Sequence, residues 1–133
     1  MRALAIALLA AAVFLPASSG ATSAGLHVRQ VLASGSPLPV EGAIPYIRVS
    51  RGDGSTVVRR RLTATKTPVW VALVPLAPGR YRLQSWQRDC DGNCSRLGAP
   101  TDRCARWFRI HRGRQLKAAI TVRYGSGCTI RFG

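Results

Sequence analysis

The sequence predicts an all-β fold, an antiparallel β-sandwich of about seven strands stapled by two disulfides. Three observations carry that expectation. From Leu26 onward apolar residues alternate with polar ones in short runs broken by Gly and Pro, and no window sustains a helical period. All four cysteines lie between Cys90 and Cys128, an even number in a chain that opens with an export-type segment. The length of 133 residues suits one domain with its own core once that segment is set aside.

The opening, "MRALAIALLAAAVFLPASSGATSAG", has an early positive charge at Arg2, an apolar run from Ala3 to Leu15 and then small residues. This is the layout of a cleavable secretory signal, with cleavage expected after Ala21 or after Ala24. The apolar run falls short of the roughly 20 residues a spanning helix needs. No cysteine precedes Cys90 to carry a lipid anchor. The expected organisation is a signal over residues 1–24 and a single β-sandwich domain over 25–133. That domain is expected to be secreted, extracellular or associated with the cell envelope, without a membrane span, and monomeric.

Within the domain, "LHVRQVLA" reads as the first strand, with Leu26, Val28 and Val31 turned inward, and "GSPLPV" breaks it. "IPYIRVS" alternates Ile47 and Val49 against Tyr46, Arg48 and Ser50, then reaches the turn "RGDG", from which "STVVRRRLTA" returns as the second arm of a hairpin. The tripeptide Arg51-Gly52-Asp53 has the letters of an integrin adhesion signal, but a tight turn between two strands accounts for them through backbone geometry. "PVWVALVPL" is a nearly continuous apolar run, as in a buried strand, and stops at Pro78 and Gly79. "GRYRLQSWQR" puts Tyr81 and Leu83 on one face and Arg80, Arg82, Gln84, Trp86 and Arg88 on the other. "CARWFRIHR" separates Phe108 and Ile110 from Trp107, Arg109 and His111. "QLKAAITVRY" carries the longest alternation, Leu116, Ala118, Ile120, Val122 and Tyr124, and is expected to form an antiparallel hairpin with the strand before it. "CTIRF" either adds an edge strand or is only stapled back by Cys128.

Two disulfides are expected, Cys90 to Cys94 closing a small loop and Cys104 to Cys128 tying the last hairpin to the tail. The alternative use of four thiolates is a zinc cage, but the Cys90-Cys94 spacing has no matching second pair.

The segments "PVEGAIPYIRV" and "PLAPGRYRLQSW" resemble two recognisable parts of carboxypeptidase regulatory-like and Cna-B-type domains, the prealbumin-like or transthyretin-like sandwiches. The second matches their "L-x-P-G-x-Y-x-L" pattern at Leu76, Pro78, Gly79, Tyr81 and Leu83. Their "D-G-x-F" run is missing and a cysteine loop is added. The resemblance covers roughly Pro37 to Val122 and implies the fold; such domains serve as scaffolds, stalks or appendages, so it implies no activity. "CDGNC…DRC" also resembles small exported actinobacterial proteins.

The formal net charge is +15, carried almost wholly by arginine, with Lys66 and Lys117 the only lysines. Such a field attracts polyanions, and a GC-rich genome would produce the same bias without a ligand. Catalytic groups are sparse. His27 and His111 have no metal-binding spacing, no serine sits in a nucleophile elbow, and Glu41, Asp53, Asp89, Asp91 and Asp102 offer no glycosidase pair. No enzyme activity and no cofactor are expected. "DCDGNCSRLGAPTD" has oxygen donors of a calcium-loop type, but lacks the closing Glu and is crowded by Arg88, Arg96 and Arg103, so turn formation and ion pairing account for it.

Outward Trp86 and Trp107, flanked by Arg82, Arg88, Arg106 and Arg109, form the expected ligand-binding strip where their two strands are neighbours. Indole faces stack on sugar rings or bases, and guanidinium groups make paired contacts to phosphate, sulfate or carboxylate. The competing use of these residues is structural, with tryptophan capping the core edge and arginine stems shielding it. The functional expectation is a non-catalytic binding module for an anionic glycan or cell-envelope polymer. The alternative is a structural domain that holds a protein partner through a strand edge. Sequence-specific nucleic-acid binding is not expected. A membrane-active cationic protein is disfavoured because no amphipathic basic helix is present.

Overall fold

A computed structural model describes residues 23–66 and 69–133. The expected signal therefore lies outside the described residues as far as residue 22. Every regular element among the described residues is a strand: β1 (Gly25–Leu32), β2 (Ala43–Arg51), β3 (Thr56–Arg61), β4 (Thr63–Lys66), β5 (Val69–Pro75), β6 (Gly79–Asp91), β7 (Arg96–Ile110), β8 (Gln115–Arg123) and β9 (Gly127–Phe132). They form a five-stranded sheet, β4-β5-β1-β8-β9, and a four-stranded sheet, β3-β2-β6-β7. The two sheets share one core. Leu26, Val28, Val74, Ala118, Ile120 and Val122 line it from the larger sheet, and Ile47, Val49, Tyr81, Leu83, Phe108 and Ile110 from the smaller. Burying a side chain of this size contributes roughly 1.5–3 kcal/mol.

The sandwich and both disulfides match expectation, and the strand count and some pairings differ. The run "STVVRRRLTA" is not one strand. Leu62, 5% exposed, turns into the core and donates its N–H to Pro45 O, so that β3 ends in one sheet and β4 begins in the other. "CTIRF" does form an edge strand, β9, paired antiparallel with β8. These two features raise seven strands to nine. The expected hairpin between "CARWFRIHR" and "QLKAAITVRY" does not form: the turn at Arg112-Gly113 passes between the sheets, and β8 runs parallel to β1. Alternation shows which face of a strand is buried, not which strand lies beside it. β5 is likewise covered on one side only, with Leu73 53% exposed on the outer face.

Inward alternation in β1 continues from Leu26 and Val28 to Gln30, not to Val31. Gln30, Ser85 and Gln87 are fully buried between the sheets. Gln87 Nε2 donates to Gln30 Oε1 at 3.3 Å, and Gln30 Nε2 donates to Gln87 Oε1 at 3.5 Å. Ser85 Oγ also donates to Gln30 Oε1, at 3.5 Å. This amide pair supplies polar partners across an otherwise apolar gap.

Turns follow local chemistry. At the β2–β3 hairpin Gly54 has φ +87°, and Asp53 Oδ1 accepts from the Ser55 N–H at 2.8 Å and from Ser55 Oγ at 2.7 Å. The Arg-Gly-Asp letters are thus part of a self-bonded turn. Before β6, the Tyr81 hydroxyl donates to Ala77 O at 2.7 Å and Leu76 is buried, which anchors the Pro78-Gly79 turn. At the tip of the β6–β7 hairpin the Cys90–Cys94 disulfide closes a loop whose Gly92, Asn93 and Cys94 all have positive φ.

Replacing Cys104 and Cys128 together by Ser is expected to lower stability by about 3 kcal/mol, and replacing Cys90 and Cys94 by about 2, because loop-closure entropy grows with loop length. Urea midpoints of the two double variants should fall in that order. Gln30→Leu leaves Gln87 and Ser85 without their partner and is expected to cost about 1–3 kcal/mol. In a double-mutant cycle with Gln87→Leu, the combined loss should be smaller than the sum.

Candidate functional site

The outer face of the four-stranded sheet is built by cross-strand register. Across β2 and β6, Tyr46 stands opposite Trp86 and Arg48 opposite Gln84. Across β2 and β3, Arg48 stands opposite Arg59, and across β6 and β7, Arg82 opposite Trp107 and Gln84 opposite Ala105. Residues directly opposite share a face, so one surface gathers Arg48, Arg59, Arg82, Trp86 and Trp107. Register slips between Ser85 and Gln87, where β7 bulges at Asp102, φ +49°. The bulge aims Arg103 at the same surface.

A cavity of about 410 Å³ opens there, with Arg48, Arg59, Arg82 and Arg103 around Trp86, and with Gln84, Ser85, Pro100, Cys104 and Ala105 completing the wall. No carboxylate or histidine lines it. Arg48 Nε donates to Gln84 Oε1 at 2.7 Å, which leaves its other guanidinium donors available. Asp102 Oδ1 is turned toward the Gly127 N–H at 2.9 Å. The salt bridge among the described residues, Arg96–Asp91 at 2.8 Å, lies at the exposed hairpin tip. Four cations therefore converge with no counter-charge in the wall.

The sequence-derived strip is only partly assembled. Trp86 is on the expected face but is 9% exposed, because Tyr46 stacks beside it at 5.8 Å and the Arg59 guanidinium lies over its ring at 5.3 Å. It is a wall, not an open stacking platform. Its Nε1 is the buried side-chain polar atom among the described residues that lacks a partner, and such a donor costs about 1–3 kcal/mol. Trp107 is 43% exposed, with Arg80 4.6 Å and Arg82 6.0 Å from its ring centre. Arg109 stands on the same face, opposite Arg80.

Two members of the strip are used elsewhere. Arg88 donates to Gly98 O at 2.8 Å and to Leu97 O at 3.2 Å, clamping its own hairpin. Arg106, opposite Leu83, faces the other side and donates to Ile130 O at 2.8 Å in β9. Arg48, Arg59 and Arg103 were missed because they lie on other strands or on a bulge. Arg48 was legible as outward in its own strand, but its neighbours were not. His27 and His111 do not approach this cavity.

Comparison with protein-family models, with curated proteins and with solved structures finds no match to this chain.

The Asp53 carboxyl is held below its ordinary value of 3.8, first by the Ser55 hydroxyl and then by the Ser55 N–H. Because the folded value is depressed, its contribution to stability is present above the ordinary value and is lost as pH falls through the folded one. A nuclear magnetic resonance titration should show Asp53 moving back toward 3.8 in Ser55→Ala. An unchanged Asp53 in that variant would contradict the hydrogen-bonded turn.

Proposed function

We propose that this chain is a secreted, non-catalytic binding module for an anionic glycan or cell-envelope polymer, held on the outer face of the four-stranded sheet. The single observation that carries this reading is the cavity walled by Arg48, Arg59, Arg82 and Arg103 without a carboxylate. Surface arginines ordinarily spread apart or pair with acids. Held together on one rigid sheet, they repel one another until an anion enters, and their forks match carboxylate, phosphate and sulfate oxygens. Half-exposed Trp107, two residues along β7 from Ala105 in the wall, offers an apolar ring surface beside the charge.

Two disulfides fit an oxidising compartment and support the exported reading. Among the described residues no helix is long and apolar enough to cross a membrane. The burial of Leu76, Tyr81 and Leu83 supports the resemblance to prealbumin-like, carboxypeptidase regulatory-like and Cna-B-type sandwiches. Attachment of a protein partner through a strand edge has less support. Edge β3 carries Arg59, Arg60 and Arg61, and edge β4 is four residues long; charge and shortness are the usual guards against strand addition.

The domain over residues 25–133 is expected to bind an anionic envelope polysaccharide with an affinity that falls steeply with salt. Arg59→Gln with Arg103→Gln should weaken it by at least about tenfold, since each charge-assisted hydrogen bond contributes roughly 1.5–3 kcal/mol. Trp107→Ala should cost about 1–3 kcal/mol by comparison with lost base stacking. Calorimetric titration at fixed ionic strength measures all three. Unchanged affinity in the folded double-arginine variant would overturn this site.

A further inference from the structure

We infer that the group recognised in the arginine cavity is a dianionic phosphoryl ester on a sugar or polyol unit, a specificity that rests on the binding role proposed above. The argument begins with charge. Arg48, Arg59, Arg82 and Arg103 meet in one cavity with no acid among its lining residues. One carboxylate has two oxygens in one plane and a single charge, which one guanidinium fork neutralises. A sulfate ester and a phosphoryl monoester both present three acceptor oxygens in different directions, but the phosphoryl group carries close to two charges at neutral pH where the sulfate carries one, so it is the common glycan anion that best answers several cations at once.

Those directions are fixed by the fold. Arg59 approaches from edge strand β3, Arg48 from β2, Arg82 from β6, and Arg103 from the bulge of β7. An ion pair with one residue would use one strand; this arrangement surrounds a compact group with several acceptor directions. The second observation is independent of charge. The indole of Trp86 forms part of the wall, and its Nε1 is buried without an acceptor. The side chain beside the four cations thus carries a donor that no protein group answers.

Size sets the remainder of the ligand. A cavity of about 410 Å³ exceeds a bare phosphate and has room for part of a sugar ring. Trp107 lies just beyond Ala105 on the same face of β7, with its ring 43% exposed. The phosphoryl group occupies the arginines while the attached ring rests on Trp107. The Arg80 guanidinium lies 4.6 Å from that indole and adds a further cation beside it.

The test uses the domain over residues 25–133 and four probes at constant ionic strength: a hexose 6-phosphate, the same hexose 6-sulfate, the corresponding hexuronate and inorganic phosphate. The phosphate ester is expected to bind at least about tenfold more tightly than the sulfate or the uronate. Arginine does not titrate in this range, and no acid or histidine lines the cavity. Affinity for the ester should therefore rise by about tenfold from pH 5 to pH 7.5 as its second proton, with a pKa near 6, is lost, while the sulfate and uronate stay flat. Trp107→Ala should reduce the ester to the affinity of inorganic phosphate, and Arg59→Gln with Arg103→Gln should abolish its preference over sulfate.

Equal binding of ester and uronate, or a flat pH profile for the ester, overturns the phosphoryl assignment. If the envelope polysaccharide still loses affinity in the double-arginine variant, the polymer-binding role survives that failure. If the polysaccharide binds that variant as well as it binds the parent, the role itself fails.

Discussion

The Cys104–Cys128 disulfide joins the outermost strand of one sheet to the outermost strand of the other, and it ties β7 covalently to β9 on that side of the sandwich. A sandwich held only by its apolar gap can shear, because dispersion and hydrophobic contacts have little directional preference. Here the seam is bonded at several heights. Arg106 reaches Ile130 O at 2.8 Å, Phe108 packs on Phe132 at 5.3 Å, and the Gly127 N–H binds Asp102 Oδ1 at 2.9 Å. The last of these lies at the β7 bulge. Once the carboxylate of Asp102 is committed to β9, the following residue, Arg103, is delivered to the opposite face, where it completes the arginine cavity. The covalent seam therefore stabilises the fold and flanks Arg103 on both sides, at Asp102 and at Cys104.

The site gathers like charges, which is unfavourable in a free chain and is made tolerable by aromatic and amide partners on the same face. Arg59 lies over Trp86, Arg80 and Arg82 lie near Trp107, and Arg48 is bonded to Gln84. Cation–π contacts of this kind contribute about 0.5–1 kcal/mol at exposed positions, too little to neutralise a group of four cations. Acids could have done so, yet Asp89, Asp91 and Asp102 sit on the β6–β7 hairpin and at its bulge, outside the cavity wall, and Asp53 lies in the β2–β3 turn. On the binding role proposed above, a sheet that holds this arrangement leaves little to order when an anion enters.

How much of this was legible from residue order depends on the kind of information each feature needs. Faces of strands were readable because period-two alternation records burial directly, as in Leu116 to Tyr124 and in Tyr81 with Leu83. The sheet change at Leu62 was not, since a corner needs only one inward leucine between two polar runs. Gln30 broke the apolar rule because Gln87 answers it from the opposite sheet, a partner 57 residues away that no local pattern reveals. Trp86 was assigned to its proper face, but its cover comes from Tyr46 and Arg59 on two other strands. Arg106 shares the inward register of Phe108 and leaves the strip for that reason.

The disulfide pairing shows how a sound sequence inference can rest on the wrong neighbour. The sequence pairs Cys128 with Cys104 through a hairpin of β7 with β8; in the fold those strands belong to different sheets. The pairing still forms because β9 turns back along β8 and lies at the edge of its sheet, opposite the edge that β7 makes in the other. This substitution has a consequence for function. A disulfide within a hairpin would have reinforced hydrogen bonds already present and left both edges open. One that spans the sheets ties β7 to β9 on that side of the sandwich, while β3 is guarded by arginines and β4 is short. On the binding role proposed above, a tied side and two guarded edges leave the broad outer faces for recognition, and the face of the four-stranded sheet is where the cations of the cavity converge.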